Sequence, residues 1–205
     1  MNSALMDEAI LKTFPLIAAP SSGSRACGSA GVQYIAAKNG LYQEISLPWV
    51  NVVHRVADAK LPYGAVSNEV RLHCSDVPKE MWKQFRRDAI AAMPNEFAAA
   101  LIWDEVTDDW RYAAREVTYA SPVKVTYREV SLEEGEHLVV DLHSHGDLHA
   151  FFSEEDDADD FGAMRFSGVM GNVAGDSPSF VFRLNMLERK WVASINASGS
   201  LEVML

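Results

Sequence analysis

At 205 residues the chain is long enough for one well-buried domain, or for one domain with a smaller companion. A formal net charge of −11 argues against a nucleic-acid binder, which needs a cationic surface to neutralise phosphates. No run of about 18 apolar residues is present to span a membrane, and two cysteines, Cys27 and Cys74, outside any C-x-x-C pattern fit a reducing, cytoplasmic setting with each thiol inert.

Residues 1–13 predict a short amphipathic helix, whose acids and missing basic n-region set it apart from a secretory signal. Residues 20–31, rich in Ser and Gly, read as a loop. Two semi-alternating runs then flank Lys38-Asn39-Gly40, and Asn-Gly is a strong hairpin signal. Trp49 to Val56 is β-rich, with His54 read as structural, and Leu61 to Cys74 offers a further turn and strand. His73 and Cys74 are adjacent but lack the companions of a zinc site. Residues 1–75 therefore predict a small β-rich unit without nameable chemistry, followed by a second domain over 76–205.

Ser75-Asp76-Val77-Pro78 reads as a helix start, with a capping Ser or Asp and a proline in the first turn. Met81, Trp82, Phe85, Ala89 and Met93 recur at helical spacing and predict one apolar face, while Lys83, Arg86 and Arg87 read as a solvated basic face. The helix stops at Pro94. Residues 95–103 predict a buried strand with Glu96 at its entrance, an acid that the local pattern does not single out. An acidic turn over 104–109, strands over 110–119 and 123–130, and a turn over 131–136 follow.

The most informative stretch is LVVDLHSHGDLHAFFSEED, Leu138 to Asp156. Its apolar run predicts a strand, and side-chain alternation puts His143 and His145 on one side of it. Ser153 and Asp156 are three apart at a helix start and share a face. Two imidazoles and one carboxylate are three protein ligands, which leave a tetrahedral Zn²⁺ one position for water, the mark of a catalytic site. Ser153 is equally a good N-cap, with Glu154, Glu155 and Asp156 filling a first turn that favours acids. Capping alone accounts for Ser153 to Asp156, but not for the histidine pair upstream. A short acidic helix over 153–164, strands over 165–170 and 180–187 around a turn at 171–178, and edge strands at 191–195 and 201–205 complete the chain.

Over roughly residues 78–190 these motifs resemble the JAMM (MPN-domain, JAB) metalloprotease family, whose pattern is H-x-H-P-x(6)-S-x-x-D. Pro94-Asn95-Glu96 and Leu101 also fall where that family carries P-x-E-x-x-G-x-L-x-G. Gly146 and Phe152 stand where the family commonly has prolines, and Ala99 and Trp103 replace two glycines. The whole layout is further similar to the protein A family of the plasmid-type cassette that pairs ParB-related and ThiF-related genes (PRTRC).

The resemblance implies an α/β (α+β) fold with a mixed β-sheet packed with helices, and a zinc metallo(iso)peptidase acting through metal-activated water. His143, His145 and Asp156 would be the metal ligands, Glu96 the general base and Ser153 a donor to the developing oxyanion. Asp141 and Asp147 could back an imidazole, although a solvated loop role suits them better, and His149 is expected not to ligate. The implied substrate is the C-terminal tail of a ubiquitin-like protein, added to a sheet edge, with a ThiF/E1-like enzyme as an implied partner. Two other readings stay open: a non-catalytic interaction scaffold, and a zinc hydrolase acting on a small molecule or on a sulfur-carrier tail.

Overall fold

In a computed structural model of the protein, residues 12–22, 31–196 and 198–205 are described. The helix expected over 1–13 lies almost wholly outside them, as do most of the loop at 20–31 and Cys27. The chain divides into two compact units, residues 1–73 with Leu205 and residues 74–204.

The first unit is a sheet in the order β1 (Leu16–Ala18), β2 (Gly31–Ala37), β3 (Gly40–Leu47), β4 (Val50–Ala57) and β5 (Glu69–Leu72). The β1–β2 pair is parallel and the rest are antiparallel. Lys38 and Asn39 form the β2–β3 turn, and Gly40 adopts φ +154 where a Cβ would meet the Ala57 carbonyl at 2.8 Å. Ile35, Ala37, Tyr42 and Val53 pack as its core. His54 is buried, with Nε2 3.0 Å from Gln43 Oε1, as befits a structural histidine.

The second unit is built on a seven-stranded sheet in the order β14-β13-β12-β11-β10-β6-β7. Its strands are β6 (Ala98–Asp104), β7 (Asp109–Ala114), β10 (Glu136–Ser144), β11 (Met164–Gly171), β12 (Ser179–Met186), β13 (Arg189–Ile195) and β14 (Leu201–Val203). All neighbours are antiparallel except β10 and β11. Strands β8 (Val117–Ser121) and β9 (Lys124–Tyr127) form a separate hairpin. Helix α1 spans Lys79–Ala92 and buries Phe85 and Ala89, while Trp82 meets Phe180 and Phe182 edge-on. Residues Ala98 to Trp103 and Val139 to Leu142 are buried, as expected of central strands covered on both faces.

Three expectations are corrected. The cap of α1 is Pro78, with no side-chain capping bond; the Ser75 hydroxyl instead donates to the Asp108 carbonyl at 3.1 Å. The strand expected over 110–119 is two strands: β7 ends at Ala114, the Arg115 guanidinium turns inward to Asp141, and β8 starts at Val117 in the separate hairpin. The acidic helix expected over 153–164 is α2, Glu154–Asp159, and ends where Asp160 is drawn under Arg183 and Gly162 takes φ +78.

A candidate metal centre at the end of β10

β10 delivers the first two side chains. His143 pairs in register with Val169 of β11 and Ala98 of β6, and His145 lies just beyond the strand, its N–H bonded to the Met170 carbonyl at 2.8 Å. Two-residue alternation brings both rings to one side, with the two Nε2 atoms 3.2 Å apart. Asp156 arrives from the first turn of α2, and its Oδ1 stands 3.3 Å from His143 Nε2. The three ligand atoms all lie within 4.8 Å of one another. Donor atoms at about 2.0–2.1 Å from a tetrahedral zinc sit about 3.3 Å apart; both contacts of His143 Nε2 match that spacing, and the His145–Asp156 pair lies within the wider 4.8 Å limit.

The capping and ligand readings of Ser153 and Asp156 are compatible. Asp156 Oδ2 accepts the Ser153 N–H and the Ser153 hydroxyl, both at 2.7 Å, and the Asp156 N–H donates to Ser153 Oγ at 3.1 Å. This reciprocal capping box consumes one carboxylate oxygen and leaves Oδ1 for the histidines.

Glu96 is buried before β6, with Oε1 3.8 Å from His145 Nε2. Its backbone is tied on both sides. The Glu96 N–H donates to the Ser121 carbonyl at 2.8 Å, and next to it Phe97 and Ser144 exchange two bonds. Burial, then the charges of Asp156 and Glu155, push the Glu96 carboxyl up to about 7. Burial likewise holds His143 below its ordinary value, and burial together with His143 does so for His145, so both imidazoles favour the neutral, ligating form.

The four groups and Ser153 line one cleft, walled by Lys124 and Tyr127 of the hairpin and rimmed by Leu148 and Phe151. The Phe151 ring sits edge-on to His145 with centroids 4.5 Å apart, and Lys124 pairs with Glu155. Asp141 is no loop residue: it is buried on β10, accepts from Arg115 at 2.8 Å and from the Tyr127 hydroxyl at 3.2 Å. Asp147 and His149 are exposed and do not line the cleft. Gly146 adopts φ +54, which proline's fixed φ of about −65° forbids, so this loop leaves His145 by a different path from one built on H-x-H-P.

Spacing alone pointed to none of Lys124, Tyr127, Phe151 or Arg183. For Arg183 a signal existed: one arginine inside FVFRLNM, a run buried enough that a charge there must be paired. Residues 78–185 match the family described as prokaryotic homologs of the JAB domain, and residues 4–73 match a domain of unknown function, DUF2016. No curated protein matches the chain.

Proposed function

Since this chain belongs to the prokaryotic homologs of the JAB domain, we propose that it is a zinc-dependent peptidase or isopeptidase. The observation that carries the reading is the convergence of ligand atoms of His143, His145 and Asp156 within 4.8 Å of one another beside a buried Glu96. A zinc ion held there would supply a Lewis acid that makes water acidic near neutral pH. In this reading Glu96 takes a proton from water in the cleft and passes it to the leaving amine, a role suited to a buried carboxyl 3.8 Å from His145 Nε2. Ser153 donates to the carbonyl oxygen as it gains charge, which requires its hydroxyl proton to leave Asp156 Oδ2.

The substrate we propose is the extended C-terminal tail of a ubiquitin-like protein. β9 contributes Lys124, Val125 and Tyr127 to the cleft wall and is paired on one side only, so an extended peptide can add to its edge. The resemblance of the sequence to the cassette of ParB- and ThiF-related genes suggests a ThiF/E1-like enzyme as the source of such a partner. Among the described residues no helix is long and apolar enough to cross a membrane.

Elemental analysis of purified protein beside His143→Ala, with turnover on a panel of ubiquitin-like fusions and small amides, tests this reading. About one zinc per chain, lost in His143→Ala, with cleavage of a fusion, is the expected result. Wild-type protein without bound metal would favour the scaffold, and cleavage of small amides alone would move the substrate to a small molecule.

A further inference from the structure

Helix α2 carries Asp156 and is capped by Ser153, yet none of its residues is buried. Six residues are too few for a helix to hold itself in water, so something outside α2 must set its position. Lys190 bonds the Asp157 carbonyl at 3.1 Å and its carboxylate at 2.7 Å, and Lys124 pairs with Glu155, but Arg183 is the group that reaches the backbone of Asp156 itself. Arg183 lies on β12, flanked by β11 and β13, and is 7% exposed. Its Nη2 donates to the Asp156 carbonyl at 2.9 Å and to Asp160 Oδ2 at 2.7 Å, and its Nε reaches that same oxygen at 2.9 Å. Its Nη1 pairs with Asp157, and its guanidinium carbon sits 3.8 Å from the centroid of the Phe152 ring. One side chain thus touches the residue before Ser153, the backbone of Asp156, and both ends of the turn that follows.

We infer that Arg183 is the positioning residue that sets Asp156 and Ser153 at the candidate metal centre, an inference that rests on the reading of His143, His145 and Asp156 as metal ligands. The guanidinium is suited to this task because its planar fork engages a carbonyl, two carboxylates and an aromatic face at once. An ammonium has neither the fork nor the stacking face. Ser167 shares the work at one point, its hydroxyl donating to Asp160 Oδ1 at 2.8 Å.

The test compares Arg183→Met, Arg183→Lys and Leu184→Ala in the full chain. Leu184 is fully buried on the same strand and points to the opposite side, so its truncation lowers stability without touching α2. Zinc affinity is read by chelator competition and the geometry of the site by the Co²⁺ absorption spectrum. Amide exchange over residues 154–160 is read in metal-free protein. Arg183→Met is expected to weaken zinc about 10–100-fold and alter the Co²⁺ spectrum, with Arg183→Lys recovering part of the loss and Leu184→Ala leaving affinity within about twofold. In Arg183→Met, exchange over 154–160 should quicken about tenfold beyond that in Leu184→Ala. Affinity and exchange no different from Leu184→Ala would overturn the role of Arg183. Wild-type protein that binds no zinc would overturn the metal reading, and the exchange comparison would still decide the clamp. If Arg183→Met does not fold, Arg183→Lys measured against Leu184→Ala decides the same question.

Discussion

Asp156 serves His143 and Ser153 with different oxygens: Oδ1 lies 3.3 Å from His143 Nε2, while Oδ2 closes the capping box with Ser153. The same carboxylate therefore starts the helix and faces the histidines. Asp156→Asn should keep most of the cap, because an amide oxygen still accepts the Ser153 N–H, but lose zinc by more than tenfold. Asp156→Ala should lose both, with a further cost of about 1 kcal/mol in metal-free stability. Chemical denaturation of the metal-free variants, beside their metal content, separates the two roles.

The buried Glu96 makes metal-free stability depend on pH. Its carboxyl is raised from an ordinary 4.5 to about 7, so between those values the folded state binds more protons than the unfolded one. The stability tied to its protonation is whole below about 4.5 and lost as pH rises through about 7. The two histidines, held below their ordinary values, act in the opposite direction over the window beneath 6.5. Glu96→Gln should thus stabilise metal-free protein at pH 8, by at most about 3 kcal/mol, and do little at pH 4. Equal effects at the two pH values would remove Glu96 as the cause. With zinc supplied, the same change should spare metal content and abolish turnover.

The loop after His145 depends on two glycines. Gly146 has φ +54, so Gly146→Ala should cost about 1–2 kcal/mol and Gly146→Pro more, by thermal denaturation. A Cβ on Gly171 would come within 2.2 Å of the Leu148 carbonyl and 2.3 Å of the Ala150 nitrogen, both backbone. Gly171→Ala should therefore displace residues 148–150 and weaken any substrate held at Leu148 and Phe151, seen as a raised KM.

Arg115 and Asp141 form a buried pair 2.8 Å apart, with the guanidinium 4.8 Å from the Tyr127 ring centroid. Asp141→Asn should destabilise the protein by about 3–5 kcal/mol, because it strands a buried cation. A loss below about 1 kcal/mol by urea denaturation would mean that Glu129 or water takes over the charge.

Much of the second unit was legible because its signals are local. The H-x-H on an apolar run and the S-x-x-D at a helix start each follow from backbone periodicity: β10 runs to Ser144, and Ser153 caps a helix that starts at Glu154. Glu96 was legible only by resemblance, since what distinguishes it is burial, created by β10, α2 and the hairpin closing around it. The break at Arg115 and the early end of α2 have the same origin. Each is set by a partner far away in sequence, Asp141 for the one and Arg183 for the other, and no propensity within the segment reports such a partner.

β10 and β11 run side by side in the same direction, so no tight turn can join them, and the chain must travel from the finish of one to the start of the other. That detour begins at His145 and carries Phe151, Ser153 and Asp156 on its way. The sheet fixes where the journey departs and where it lands, and the Gly146 and Leu148 carbonyls tie the route to Val173 and Asn172 just past β11. A lineage could thus exchange the side chains of Leu148 and Phe151 for another rim, and with it the guests admitted, while the backbone path and the strands beneath stay as they are.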